Sequence, residues 1–245
     1  MVQKISHFMN KLREPIRLFG WLDGSLYFVG WVLAKLSLGH ILLFKYYFVA
    51  QPVSEHPMLA RPSNDITIFD VPKLDPLVAR FPRPAAVIEA RYEQGARCFA
   101  AVKGEEFIGF AWIVFKRYDE DEVRCQFEPL PGDRAAWDFD IHVEPKYRVG
   151  RAFLRLWDAV HAFLRENHYQ WTLSRISAFN PHSLASHARL GTVALGSAVF
   201  VRVGAAQLMF SAQAPYLHLS LSAASAPKLE LRAPALIEPK KSLAK

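Results

Sequence analysis

Three ionisable residues alternate along one apolar run. They are Asp138, Asp140 and His142 within Ala136-Trp137-Asp138-Phe139-Asp140-Ile141-His142-Val143. Successive side chains of a strand point to opposite faces. The spacing therefore predicts these three on one face and Trp137, Phe139, Ile141 and Val143 on the other. Same-face neighbours then stand about 6.8 Å apart, close enough to share one pocket. Carboxylates or an imidazole so arranged suit general-base chemistry, in which a nucleophile loses a proton as it attacks. The competing reading is a hydrated strand end at which Asp138 or Asp140 pairs an arginine, because unpaired charge in a covered sheet is costly. A basic turn follows, Glu144-Pro145-Lys146-Tyr147-Arg148-Val149-Gly150-Arg151-Ala152. Apolar residues then recur at Phe153, Leu156, Trp157, Val160, Phe163 and Leu164, which is helical spacing with one buried face. A basic, Gly-containing turn that opens a helix offers unpaired N–H groups and the positive end of the helix dipole. That combination suits a phosphate-bearing ligand.

A second segment, Asn180-Pro181-His182-Ser183-Leu184-Ala185-Ser186-His187-Ala188-Arg189-Leu190-Gly191, reads as a turn opening another helix. Together with Val143–Ala152 it resembles the GNAT superfamily of acyl-CoA-dependent N-acetyltransferases. The resemblance covers roughly residues 65 to 211. Members carry an Arg/Gln-x-x-Gly-x-Gly/Ala turn whose amides hold the acyl-CoA pyrophosphate, and an Asn-x-x-Ala/Ser helix start followed by a Tyr and a Leu-Gly ending. The second pattern matches in spacing through Asn180, Ser183, position 187 and Leu190-Gly191. The first departs: counted from Arg148 the turn is one residue short, and counted from Gly150 and Ala152 it has Tyr147 where Arg or Gln is usual.

The resemblance implies an α+β fold, a mixed, mostly antiparallel twisted sheet flanked by helices. It implies that Tyr147, Arg148, Val149, Gly150, Arg151 and Ala152 hold the donor phosphates, that amides near Ile141 and Val143 polarise the thioester, and that Asn180 and Ser183 shape the donor channel. Read alone, Asn180 is equally a helix cap ahead of Pro181. His187 stands where members place the Tyr that protonates the departing thiolate. Imidazole, with an ordinary pKa of about 6.5, can do that; it reads equally as a helix residue packed beside Leu184 and Ala188. Asp140 and His142 lie nearest the turn and are the first candidates for the base, with Asp138 behind them.

The chain of 245 residues carries a net charge of +7, with 51% hydrophobic and 13% aromatic residues. Such a balance suits an anionic ligand or an anionic membrane surface. Nucleic acid is not expected, since there is no zinc-finger spacing, RNP-like strand or Lys/Arg run. The two cysteines, Cys98 and Cys125, make no metal-ligand spacing, and their scarcity fits a reducing compartment. No metal and no prosthetic group are expected. A Ser-His-Asp hydrolase is not expected, since the chain has no Gly-x-Ser-x-Gly elbow.

The elements that must position these residues follow from patterning. Residues 1–50 form a hydrophobic N-terminal extension, apolar from Ile16 to Val49 but interrupted by Asp23, Lys35 and His40, with Lys4, Lys11, Arg13 and Arg17 alongside. It reads as a helix packed on the domain and followed by a strand at Leu42–Val49, as an interfacial helix on anionic lipid, or as a span broken by charge. Residues 51–64 read as a linker, 65–222 as the acyltransferase-like domain and 223–245 as a basic tail. Strands are expected at Ile66–Phe69, Arg97–Lys103, Phe107–Phe115, Thr172–Ser177, Val193–Val203, Gln207–Phe210 and Tyr216–Ser222, with a helix over Ala85–Gln94. The acidic run Asp119-Glu120-Asp121-Glu122 reads as a solvated loop, or as a gate for the acceptor.

The expected activity is transfer of an acyl group from acetyl-CoA, a longer acyl-CoA or an acyl-carrier protein to an amine. The expected setting is the cytoplasm, with a peripheral position at the inner membrane face. The alternative is a degenerate module that binds acyl-CoA or a protein partner without turnover, favoured by the short turn and the missing Tyr.

Overall fold

Short β-branched and aromatic runs separated by tight turns build a nine-stranded sheet in the computed structural model, which describes residues 2–59, 65–148, 151–222 and 224–235, with side chains from Arg13 onward. The chain runs α1 (Val2–Leu36), β1 (Ile41–Pro52), β2 (Thr67–Val71), a 3-10 turn (Pro76–Arg80), α2 (Ala85–Glu93), β3 (Arg97–Lys103), β4 (Glu106–Val114), β5 (Tyr118–Asp119), β6 (Gln126–Leu130) and β7 (Ala135–Val143). A second 3-10 turn (Pro145–Tyr147) leads to α3 (Ala152–Glu166), β8 (Trp171–Ser177), α4 (Pro181–Arg189), β9 (Val193–Val203), β10 (Ala206–Ser211), β11 (Leu217–Ser220) and β12 (Lys228–Arg232). The main sheet has the order β11-β10-β9-β1-β8-β7-β4-β3-β2. Within it only β7 and β8 pair in parallel, so the fold is α+β with a mostly antiparallel sheet, flanked by four α-helices among the described residues.

The two faces of the sheet bury different side chains. On one face Ala136 of β7 and Ile113 of β4 pack against Trp157, Val160 and Leu164 of α3. On the other, Trp137, Phe139, Phe48, Phe110 and Trp112 meet Phe127, Leu229 and Leu231 of a small β12-β6-β5 sheet. Stacking of Phe127 on Trp137, with ring centres 4.8 Å apart, fixes that small sheet on the large one.

Three expectations about organisation change. β1 lies in the middle of the sheet between β8 and β9, so the extension contributes a core strand, and Gln51 and Pro52 finish it instead of opening a linker. The supposed tail contains β12, which pairs in parallel with β6. Its Leu229 and Leu231 are fully buried, each worth about 2 kcal/mol. The remainder of that tail from 236 onward, with residue 223, lies outside the described residues.

α1 is two helices joined at Gly20, whose φ of 81° is left-handed. The chain folds back closely enough that a Cβ on Gly24 would meet the backbone of Ile16. Asp23, the charge that interrupts the apolar run, is buried on β1, where it pairs Lys45 and accepts from the Tyr47 hydroxyl at 2.6 Å. Among the described residues no helix is long and apolar enough to cross a membrane.

Candidate active site at the fork between two parallel strands

β7 and β8 form a ladder over only three pairs, Ala135↔Trp171, Ala136↔Thr172 and Trp137↔Leu173. Beyond Trp137, β7 stays with β4 as far as Val143, while β8 stays with β1 as far as Ser177. The two strands therefore part, leaving a wedge whose edges carry backbone groups outside any shared ladder. Because the strands are parallel, α3 and α4, which follow them, both begin at the open end. An open α/β edge of this kind is where strand and helix ends converge on a ligand.

A bulge in β7 sits on the fork. Phe110 pairs His142 and Trp112 pairs Phe139, so Asp140 and Ile141 together face the single Ala111. Asp140 takes a left-handed φ of 45°. A bulge re-aims the side chains that follow it. Gly109 permits the close approach, since a Cβ there would collide with the His142 carbonyl oxygen. The expected single row of Asp138, Asp140 and His142 is accordingly broken. Asp138 lies on the α3 face beside Thr172 and Ser174. Ile141 and Val143 join that face, packing with the α3 clusters. Asp140 and His142 turn to the opposite face with Phe139.

The three candidates differ chemically. Asp138 is buried, and its Oδ2 has no hydrogen-bond partner among the described residues. Burial pushes its pKa up to about 7, against the pull of the Thr172 and Ser174 hydroxyls. Asp140 is held by two guanidiniums: Arg83 grips both oxygens, its Nε donating at 2.8 Å, and Arg91 donates to Oδ2. His142 stacks on Phe107 with ring centres 6.4 Å apart, and its Nε2 lies 3.2 Å from Glu144 Oε1.

At the open end, Tyr147 donates to Glu106 Oε2 at 2.5 Å, and Lys146 pairs the same carboxylate. Arg148 Nε donates to the Val143 carbonyl at 2.8 Å, tying the turn to the strand end. Val149 and Gly150 lie outside the described residues. Arg151 is the N-cap of α3 and makes no side-chain capping bond, and Ala152 is the buried first residue of that helix. Asn180 caps α4, its Oδ1 accepting from the Ser183 N–H at 3.0 Å, so this residue has a structural task whatever else it does.

His187 is buried edge-on to Trp157 and Phe153, with ring centres 5.9 and 6.4 Å away. Burial lowers its pKa to about 4, and its Nδ1 has no partner among the described residues. A histidine so placed favours its neutral form near pH 7. This runs against the proton-donor expectation and matches the packing alternative.

The other face of the fork holds a cavity of about 490 Å³ that sequence patterning did not reveal. Phe139 and Asp140 of β7 and Arg175 of β8 form its floor, α2 and its approach add Arg83, Val87 and Arg91, and the β5–β6 hairpin adds Tyr118, Asp121 and Glu122. The acidic run therefore pairs arginines beside the cavity, with Glu120 enclosed while Asp121 and Glu122 stay exposed to solvent. Glu120 is fully enclosed and accepts from Arg175 Nε at 3.0 Å. Burial raises its pKa although Arg175 pulls it down. Glu122 accepts from the Tyr46 hydroxyl and from Arg175, both at 2.8 Å, and Asp121 accepts from Arg91 at 2.9 Å. The detectable signal was composition: four acids in a row, with arginines such as 91 and 175 to neutralise them.

No protein-family model and no curated protein matches the chain. Solved structures that it resembles include a conserved protein of unknown function from Staphylococcus epidermidis, with TM-score 0.49, 12% identity and coverage of 71% of this chain and 67% of that one. They include a putative GNAT-family acetyltransferase from Novosphingobium aromaticivorans, with TM-score 0.45, 13% identity and coverage of 64% and 62%. A tandem GNAT protein from the clavulanic acid biosynthesis pathway is also among them, with TM-score 0.45, 12% identity and coverage of 74% and 58%. The chain spans less than two thirds of the length of the latter two. GNAT acetyltransferases are thus among its distant structural neighbours, and the functional reading rests on this chain's own geometry.

Proposed function

We propose that the chain is an acyltransferase that moves an acyl group from acyl-CoA, or from the same thioester on an acyl-carrier protein, to an amine. The parting of β7 and β8 after Trp137 and Leu173 carries this reading. An extended pantetheine arm can enter the wedge as an added strand and bond backbone groups on its edges. The donor phosphates would then meet the basic turn 144–152 and the uncapped start of α3. Backbone N–H groups at Ile141–Val143, next to the bulge, would polarise the thioester carbonyl.

In the reaction the neutral amine nitrogen attacks the carbonyl carbon, the C–N bond forms and the C–S bond breaks. The nitrogen gives one proton to a base, and the thiolate takes one from water. Of the three candidate bases we favour Asp138. A pKa of about 7 is matched to proton transfer near neutrality, and Oδ2 is without a partner among the described residues. Asp140, clamped by Arg83 and Arg91, serves to hold the bulge. His187 serves to pack α4 on α3.

A second reading, a module that binds the donor without turnover, is favoured by the neutral His187, which leaves no evident acid for the thiolate. Measuring CoA binding beside thioester consumption separates the two. Binding with consumption across an amine panel supports the enzyme, and binding without it supports the module. Mass spectrometry of co-purified ligand would read both acyl length and donor type.

For location we favour the cytoplasm, where acyl-CoA is supplied, with an attachment to anionic lipid through α1. Leu18, Trp21 and Leu22 support it, lying 51%, 79% and 69% exposed around the Gly20 bend.

A further inference from the structure

The cavity beside the fork carries both signs of charge on its walls: Arg83, Arg91 and Arg175 against Asp121, Glu122 and Asp140. These six are not equivalent. Arg91 and Asp140 are the most enclosed, with side chains 5% and 14% exposed, and they neutralise each other. The outer positions belong to Glu122, at 51%, Asp121, at 35%, and Arg83, at 31%. The groups best able to meet a ligand are thus two carboxylates and one guanidinium, which Asp140 holds in place, and Tyr118 and Phe139, stacked on each other, also line the cavity. A pocket built for a simple cation would present acids alone, and one built for an anion would present arginines alone. A volume of about 490 Å³ suits a small molecule and is too confined for a folded partner.

Resting on the acyltransferase reading, we propose that the acceptor is a small zwitterion of the α-amino acid type. Its ammonium is taken by Glu122 with Asp121, and its carboxylate by Arg83, in charge-assisted hydrogen bonds. Phe139 and Asp140 belong both to the cavity and to the β7 edge of the fork, so an amine bound here lies next to the bulge where the thioester would sit. Asp138 faces the α3 side, and the ammonium's proton passes to it through the gap that opens between β7 and β8 beyond Trp137, leaving the neutral amine to attack. Selection acts on both ends of the ligand. Arg83 is already paired by Asp140, so an amine that lacks the carboxylate forgoes the further charge-assisted bonds to that guanidinium, and a site that bonds such a group disfavours the analogue that lacks it.

The test uses the full-length protein and three matched ligand sets: the common amino acids, their carboxamides, and the amines left by removing the carboxylate. Binding is followed by calorimetry with CoA present, and amide formation by mass spectrometry with acetyl-CoA and longer acyl-CoA. The result expected is that at least one amino acid binds and that its carboxamide and its decarboxylated amine bind about tenfold more weakly or worse. Arg83→Gln should remove the preference for the carboxylate, and Glu122→Gln should weaken all three sets. Because the ligand series is read on the unaltered protein, the outcome does not depend on either variant folding. Absence of amino-acid binding, or equal binding of acids, amides and amines, overturns the proposal. CoA affinity is measured separately on the same protein. CoA binding and thioester turnover without zwitterion preference sink this acceptor class and leave acyl transfer standing. Zwitterion preference without CoA binding upholds the cavity assignment and removes the acyltransferase.

Discussion

Trp137 and Leu173 are the last paired residues between β7 and β8, and two positions further along, Phe139 and Arg175 both line one cavity. The wedge and the charged cavity are consequences of the same divergence. Chemistry at the fork therefore depends on which side chains the bulge at Asp140 sends to each face.

Asp138→Asn tests the proton acceptor. Turnover should fall by about 10²–10⁴-fold while CoA affinity stays near that of the parent. The ascending limb of the rate profile near pH 7, set by Asp138, should disappear. Undiminished turnover in the Asp138→Asn variant would return Asp138 to a purely structural role.

Stability should carry the signatures of the buried groups. His187 has a pKa near 4 folded and about 6.5 unfolded, so the unfolded chain binds more protons between those values. Its contribution is intact above about pH 6.5 and is lost as pH falls towards 4, at most about 3 kcal/mol. Asp138 works with the opposite sign. Its folded pKa is raised, so stability is full below about pH 4 and declines as pH rises to 7. His187→Phe should flatten the acid limb of denaturant midpoints measured between pH 4 and 7, with thioester turnover close to that of the parent. A large loss of turnover in a well-folded His187→Phe variant would restore the proton-donor role.

Asp140→Ala should destabilise the protein by roughly 3 kcal/mol, because it takes the shared carboxylate from Arg83 and from the enclosed Arg91, which keeps only Asp121. Urea unfolding checks this, and a change below about 0.5 kcal/mol would mean that the pair is solvated in solution.

Arg151→Glu should weaken CoA binding by about tenfold, measured on variant protein shown to be folded, since it sets a negative charge at the start of α3 where phosphates are expected. Unaltered CoA affinity would remove the turn from the donor site.

Trp21→Ser should reduce binding to anionic vesicles, and binding by the parent should weaken as salt rises, because screening removes about 1 kcal/mol per surface-facing basic residue. Vesicle binding that is absent at low salt, with or without Trp21, would assign α1 to packing alone.

Much of the scaffold was legible in the chain. Apolar runs beside short turns marked Arg97–Lys103 and Val193–Val203 as hairpin strands, and the helical spacing from Phe153 to Leu164 marked the buried face of α3. What escaped was non-local. A bulge follows from how Gly109 approaches His142 across two strands, so alternation along β7 alone put Asp138 and Asp140 on the same face. Charges that looked solvated, such as Glu120, found partners 55 residues away in Arg175. β12 was hidden because only five residues of a polar tail pair, with β6, and just two of their side chains are apolar. His187 is buried against Trp157, a residue of another helix, and burial favours its neutral form.

The most direct measurement is thiol release from an acyl-CoA, followed together with mass-spectrometric detection of an acylated amine, in the parent protein and in Asp138→Asn. Release of one thiol per amide formed, dependent on added amine and reduced at least about a hundredfold in the variant, is the predicted result. CoA bound in the absence of any amine-dependent thiol release, across amino acids and simple amines alike, would contradict it and leave a binding module.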